Sequence, residues 1–387
     1  MAKSVLKICC GDFINESRDR RELSVCRELG AKVLVMAKGG PTDRFKEDKV
    51  FGFDVLRFSA CPLGTRFSDS INKAASVFPW AHYARKIHPD VITAQDLGAL
   101  SIAWLSNIFR REKAVLIYDS HEFELGRNKK RSKLQLWGIE HLERFLMKRC
   151  AFSIMVNDCI ADEVQKIHHL KERPVVVRST PNYWEVDEAV CAERRKEFES
   201  KLEAGNFLLM YHGNVMKGRG VESLLDVISK TEKTVAVILG NGEEAYLNEL
   251  RKRADTLKVG GRVLFKPAVP IDVLWQYAGA ADVGMILAPA VVKNHLYSLP
   301  NKFFENIQSE TPVVCPDYPA MKPIVDQYGI GLTCNPTDSE KVIACVEKMR
   351  ADRDFYRQCK TNLKTAKREL CWENEKEVLL EAYRKVL

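Results

Sequence analysis

Residues 298–305, SLPNKFFE, set a polar loop before a short helical stretch that carries one acid, Glu305, and stops ahead of the hydrophobic run TPVVC (311–315). A loop feeding a helix start presents unpaired backbone N–H groups and the positive end of the helix dipole, which together hold an anion such as a phosphate. Leu299, Pro300 and Asn301 form that loop, and Lys302 adds a cation, although Pro300 has no N–H to give. A second stretch, YHGNVMKGRGVESLL (211–225), follows an apolar run and leads into a helical pattern. Gly213, Gly218 and Gly220 free its backbone for close approach to a diphosphate, and Lys217 and Arg219 add charge. The spacing matches neither the P-loop nor the dinucleotide fingerprint, so by itself the stretch reads equally as a surface turn with solvated cations.

Such loops need strands to carry them. Apolar runs alternate with helical patterns: VLKICC (5–10), AKVLVM (31–36), DVLRF (54–58), DVIT (90–93), AVLIY (114–118), FSIMV (152–156) and PVVVR (174–178). A polar, charge-dense stretch follows Pro181, and the alternation resumes with FLLMY (207–211), TVAVILG (234–240), RVLFK (262–266), DVGMIL (282–287) and TPVVC. Continuous apolar strands between helices predict parallel sheets covered on both faces, here in two α/β domains with boundaries at 1–185 and 186–370. Ligands of such sheets bind beyond the carboxyl ends of the strands, so the expected site is a cleft that the two domains face. Gly11, Asp119 to Glu122, His212 to Gly220, Gly240 to Gly242 and Lys266 to Pro270 fall just after strands.

The 387 residues suffice for two domains that each bury a core, and 46% hydrophobic with 29% charged residues is a globular balance. No apolar run approaches the ~20 residues of a spanning helix, and MAKSVLKICCGDF turns polar too soon for a signal peptide. The expected location is cytoplasmic. Twelve scattered cysteines without a CxxC pair read as reduced, buried thiols and not as a zinc site. The formal net charge of +8 suits a nucleic acid, an acidic membrane or an anionic substrate without choosing among them.

Taken in order, YHGNVMKGRGVESLL, VILGNGEE, VLFKPAVPIDVLWQYAGAADVGMIL, SLPNKFFENIQSETPVV and YGIGLTCNPTD resemble the nucleotide-sugar domain of GT-B glycosyltransferases, specifically glycosyltransferase family 4. The first half resembles that family through DVITAQDLGALSIA, LIYDSHEFE, KRCAFSIMVNDCIADEV and PVVVRSTPN. The resemblance implies a GT-B fold of two Rossmann-like domains, with the terminal helix 371–387 returning to the first. It implies a retaining transferase that moves a sugar from a nucleoside diphosphate donor, with UDP favoured, to an acceptor hydroxyl in surface polysaccharide or glycolipid synthesis. No cofactor or metal is expected. Glu305 takes the ribose-binding role, Leu299 to Lys302 and Gly213 to Arg219 the diphosphate, Gly240 the donor loop, and Lys266, Pro267 and Val269 the nucleobase. His121 is the active-site candidate of the first domain, with Glu122 beside it. Asp119 reads as holding its loop through local backbone N–H groups.

Two positions depart from the family pattern: Tyr297 stands where the first acid of E-x7-E falls, and Asn214 where the earlier of two phosphate cations falls. Lys217 is the expected replacement for that cation. After the first strand only Gly11 remains of a Gly-Gly loop, with Asn15, Arg18 and Arg21 nearby to meet an anionic acceptor or simply to start a charged helix.

Arg127, Lys129, Lys130 and Arg131 form a basic cluster for an acceptor or an anionic membrane surface. It precedes an amphipathic helix whose stripe of Ile139, Leu142 and Leu146, with Leu134, Trp137 and Phe145 beside it, is expected to pack on the sheet. RNA binding is disfavoured by the lack of stacking aromatics in the cluster. Asp352 and Asp354 form a DxD, read as a helix start and not a metal site. The competing readings are a nucleotide-sugar epimerase of the same architecture and a non-catalytic binder of anionic lipid or nucleic acid.

Overall fold

The computed structural model describes residues 2–14, 16–40, 43–59, 62–64, 66, 68–127, 130–202 and 205–387. The chain divides into two compact units, one of Met1–Arg178, Val292–Asn294 and Lys376–Leu387, the other of Ser179–Val291 and His295–Glu375.

The strands of the first unit are β1 (Ser4–Cys9), β2 (Lys32–Gly39), β3 (Arg44–Val50), β4 (Phe53–Ser59), β5 (Val91–Gln95), β6 (Val115–Ser120), β7 (Phe152–Met155) and β8 (Val175–Val176). Its helices are α1 (Ser17–Glu28), α2 (Asp69–Ile87), α3 (Asp96–Ile108), α4 (Lys133–Met147) and α5 (Asp158–His168). One sheet runs β3-β4-β2-β1-β5-β6-β7-β8, parallel throughout except for β3. β1 lies between β2 and β5, with Ile8 opposite Met36 on one side and Ala94 on the other. Val5, Leu6 and Ile8 are buried, each worth about 1.5–3 kcal/mol over exposure. β3 was not anticipated, because KEDK at 46–49 has no apolar alternation. Such charge suits an edge strand, where it discourages pairing with another chain.

The second unit holds β9 (Phe207–His212), β10 (Thr234–Leu239), β11 (Val263–Lys266), β12 (Val283–Met285), β13 (Val313–Pro316) and β14 (Gly331–Cys334). They form one parallel sheet in the order β11-β10-β9-β12-β13-β14. The helices from the linker onward are α6 (Glu188–Glu199), α7 (Val221–Lys230), α8 (Glu244–Thr256), α9 (Leu274–Ala278), α10 (Lys293–Leu296), α11 (Asn301–Gln308) and α12 (Lys322–Tyr328). α13 (Ser339–Ala351), α14 (Arg353–Glu369) and α15 (Trp372–Arg384) complete the chain. Asp352 caps α14 by accepting the Phe355 N–H at 3.0 Å, the helix-start role read from the DxD. From Lys376 on, α15 belongs to the first unit, where Tyr383 is buried edge-on to Phe152 and its hydroxyl donates to Glu22.

Two helices set the geometry that matters below. α11 buries Phe303, Phe304 and Ile307 in one apolar cluster with Val313, Cys315 and Leu363, so Lys302 and Glu305, three residues apart, share its other face. α4 starts with a capping box in which Ser132 Oγ accepts the Gln135 N–H and Gln135 Oε1 accepts the Ser132 N–H. The expectation that α4 lays its apolar stripe on the sheet is corrected. Leu146 is buried and Ile139 half-buried, but Leu134, Trp137, Leu142 and Phe145 are exposed. A buried acid sets this rotation: Glu143 accepts from the Tyr118 hydroxyl at 2.8 Å and lies 3.0 Å from His168 Nε2, so the side bearing Glu143 and Met147 faces inward. No helix among the described residues is long and apolar enough to cross a membrane.

Candidate functional site

β9 ends at His212, and Gly213, at φ 106°, opens the loop to α7. The Gly213 carbonyl sits so close to Gly240 that a Cβ there would come within 1.8 Å of it, which requires glycine. Gly220, at φ 83°, ends the loop where α7 begins.

Across from this loop stands the polar face of α11. His212 Nε2 lies 3.0 Å from Glu305 Oε2, with the imidazole buried and the carboxylate 14% exposed. The Nε2–H donates to Oε2, so of the two carboxylate oxygens Oε1 is left for an external hydroxyl. His212 Nδ1 is buried without a hydrogen-bond partner.

Lys302, in the first turn of α11, places Nζ 3.7 Å from the centroid of the Tyr211 ring. The Tyr211 hydroxyl donates to the Asn214 carbonyl at 2.7 Å, locking ring and loop together. Burial, and then the charge of Arg219, push the Lys302 ammonium down to about 7, with Glu305 pulling the other way. Burial raises the Tyr211 phenol to about 12 against the same guanidinium. Lys302 thus sits in the first turn of a helix, near enough to the exposed Arg219 for the two charges to repel. An anion between them would relieve the repulsion and be held by all three.

The other sequence candidates divide. Asn301 is the exposed first residue of α11, Pro300 precedes it as the cap, and Leu299 is half-buried against the core. Lys217 does not replace the cation missing at Asn214. It is exposed, 3.0 Å from Glu249, and lies over the Tyr246 ring, whereas Lys302 Nζ lies 3.6 Å from where a Cβ on Gly213 would stand. Lys266 is also corrected as a nucleobase contact: its ammonium pairs with Glu197 and its carbonyl accepts the Gly240 N–H at 2.9 Å. The Ala268 N–H donates to Asn241 at 3.0 Å, and Val269 packs against the core beneath β9 and β10, which leaves Pro267 between them. Continuing the β10–β11 pairing past the strand ends is what occupies these groups.

In the first unit, a buried ionic cluster surrounds His121. Lys7, fully buried in mid-strand, lies 2.9 Å from Asp19, 2.5 Å from Glu22 and 3.5 Å from Asp119. Arg18 lies 3.0 Å from Asp119 and also donates to the Val177 carbonyl. His121 Nε2 lies 3.1 Å from Asp119 and 3.3 Å from Asp19, and its Nδ1 faces Gln95 at 3.3 Å. Burial opposes the charge on His121, yet Asp119 and Asp19 outweigh it and raise the imidazole to about 10. Against the same burial, Arg18, His121 and Lys7 hold Asp119 well below the usual carboxylate range. Lys7 is held well above its ordinary value by its three acids despite desolvation.

These contacts correct one expectation and decide another. Asp119 is an ionic centre and not a local backbone tie, and of the two readings of Arg18, acceptor contact or a charged helix start, its inward bonds at the start of α1 leave the second. Asp19, Asp119 and His121 present atoms within 4.8 Å of one another, a metal-like spacing. Lys7, Arg18 and the imidazolium already balance the acids, so the set fits a closed salt cluster better than a cation site.

The backbone of His121 is fixed by Asp96, a non-glycine residue at φ 62°, whose Oδ1 accepts the His121 N–H at 3.1 Å. Asp96 also holds Arg127 at 3.2 Å, which further pairs with Glu122 at 2.7 Å and Glu124 at 2.9 Å. Arg131 pairs with Glu124 at 2.8 Å. Arg127 and Arg131 therefore brace the loop after β6 and are corrected as freely offered surface cations. Lys130 lies in the turn before α4, while Lys129 and Asn15 fall outside the described residues. Gly11, whose carbonyl accepts the Lys38 N–H at 2.8 Å, lines a cavity of about 520 Å³ at the carboxyl ends of β1 and β2, with Asp12, Asp43, Asp48 and Arg57.

Sequence reasoning placed His212 at a strand end without giving it a role, and missed Lys7, Asp19 and Glu22. The signals were a strand-ending histidine in the same sheet as the acid-bearing helix, and one lysine inside an otherwise apolar β1.

Residues 193–366 match the family model described as Glycosyl transferases group 1. No curated protein matches the chain. Among solved structures, HepE of Anabaena in complex with UDP is similar at 16% identity, over 99% of this chain and 100% of that one, with a TM-score of 0.76. The complex of HepE with UDP-glucose is similar at 17% identity, with coverage of 99% and 100% and a TM-score of 0.71. Sucrose-phosphate synthase from Thermosynechococcus elongatus is similar at 15% identity, with coverage of 99% and 98% and a TM-score of 0.76. Likeness at these identities establishes the fold, two Rossmann-like α/β domains of the GT-B kind. Joined to the family match over the second unit, it supports a GT-B glycosyltransferase.

Proposed function

We propose that the chain is a glycosyltransferase that moves a sugar from a nucleoside diphosphate donor to an acceptor hydroxyl. The observation that carries this reading is the convergence of Lys302, Arg219 and the amide end of α11 on one loop, with Glu305 one turn further along and held by His212. The cations and helix end match a diphosphate, and Glu305 Oε1 matches a ribose hydroxyl. A uridine donor is favoured because HepE, similar in fold, has been solved with UDP and with UDP-glucose.

In the reaction the bond from the anomeric carbon to the diphosphate oxygen breaks and a bond to the acceptor oxygen forms. Charge grows on the departing diphosphate, and Arg219 and Lys302 stabilise it where it develops. His121, held as an imidazolium, is not a base at neutral pH. The acceptor proton passes instead to the departing phosphate, the front-face course that accompanies retention at the anomeric carbon. Membership of glycosyltransferase family 4, metal independence, a cytoplasmic setting and a lipid-linked saccharide acceptor complete the reading, and the cavity beside Gly11 is its acceptor pocket.

The test is a thermal-shift screen against UDP-, GDP-, ADP- and CMP-sugars, followed by product analysis with the stabilising donor. A glycosylated acceptor and free nucleoside diphosphate are expected. A donor epimerised or hydrolysed with no acceptor modified would point to the epimerase reading. Stabilisation by no nucleotide sugar would remove the transferase.

A further inference from the structure

We infer that α4 is an interfacial helix that seats the first unit on an anionic lipid leaflet. Leu134, Trp137, His141, Phe145 and Lys148 follow one another at spacings of three, four, four and three, a single stripe along the helix. The stripe faces solvent: Leu134 is 75% and Trp137 58% exposed. Arg149 lies over the Phe145 ring at 3.5 Å, so a cation flanks the apolar surface. The two acids of α4 are off the stripe, with Glu140 paired to Arg144 at 2.5 Å and Glu143 buried.

At its carboxyl end the helix opens on a cavity of about 570 Å³ lined by Lys148, His169, Lys171, Arg173 and Lys385, with Glu172 as the acid among them. An apolar stripe with an exposed tryptophan, basic flanks and a basic recess at one end fits an interface between acyl chains and anionic headgroups. A second copy of the chain fits poorly. Self-association through this face would appose two copies of a chain of net charge +8 and carry Lys148, Arg149 and the basic recess into the interface.

This inference stands apart from the proposed transfer reaction, and its test needs no turnover. The full chain is mixed with phosphatidylglycerol-containing vesicles or pure phosphatidylcholine vesicles and sedimented. Binding to the former and not the latter is expected. The triple variant Leu134→Gln, Trp137→Gln, Phe145→Gln should lose about tenfold or more in vesicle affinity, and Lys148→Glu a smaller factor. All of these positions are exposed, so an unchanged melting curve confirms that the variants fold. The idea is overturned if the parent chain ignores phosphatidylglycerol vesicles or if the triple variant binds them equally well. A concentration-dependent dimer that the triple variant abolishes would also overturn it, by assigning the face to a second copy.

Discussion

Lys302 Nζ rests 3.7 Å from the centroid of the Tyr211 ring, within reach of the Arg219 charge, so α11 brings a second cation to the loop that begins at Gly213. On the proposed reading the phosphate cradle draws on two loops far apart in sequence, and its charge depends on what is bound.

Lys302→Met should weaken UDP binding by about 1.5–3 kcal/mol, the range for hydrogen bonds to charged groups. The direction with pH follows from the depressed ammonium. In the empty protein Lys302 loses its proton near pH 7, and a bound diphosphate raises that value, so affinity falls as pH climbs above about 7. An unfolded lysine keeps its proton to about 10.4. Lys302 therefore adds to the stability of the empty protein as pH rises from about 7 towards that value, so the parent chain should gain on Lys302→Met across the interval, and a difference in urea midpoint that stays constant with pH would count against a desolvated Lys302.

Lys217→Ala should alter UDP affinity less than about twofold, since its partner is Glu249 and surface pairs are worth about 0–1 kcal/mol. Calorimetry on Lys217→Ala and Arg219→Ala side by side separates the two, with only the second expected to lose binding.

Glu305→Ala and His212→Phe should both weaken UDP binding, the first more. Removing His212 leaves the carboxylate in place but unanchored, a cost of about 1 kcal/mol. Unchanged affinity in Glu305→Ala would take the ribose role from it.

The cluster around Lys7 makes a separate demand on stability. Because His121 is raised to about 10, its contribution is complete below its unfolded value near 6.5 and fades as pH rises through 10. Asp19 and Asp119 are lowered, so theirs is complete above about 4 and fades under acid. The excess in urea midpoint of the parent chain over His121→Gln should be larger at pH 6 than at pH 9.5, and Lys7→Met should cost about 3–5 kcal/mol by stranding buried acids. A Lys7→Met protein as stable as its parent would show the cluster to be incidental.

Parallel strands were legible because burial on both faces writes them as unbroken apolar runs, and Glu305 was legible because a helix start carries local chemistry. β3 was hidden by charges that an edge strand tolerates. The exposure of α4 was hidden because its rotation answers to Glu143 meeting Tyr118 and His168, partners 25 residues away on either side. Lys302 could be seen as a nearby charge, but its seat on the Tyr211 ring beside Arg219 depends on how β9 and α11 meet. His212 and Glu305 are 93 residues apart, and nothing local in either stretch announces the other.

The central claim is that Lys302 is a cation completed by the diphosphate. Titrating UDP into the protein at pH 8, in two buffers of different ionisation enthalpy, measures the protons taken up on binding. The account predicts uptake approaching one proton in the parent chain and none in Lys302→Met, which should also bind more weakly. Binding without proton uptake, or equal binding by Lys302→Met, would contradict it.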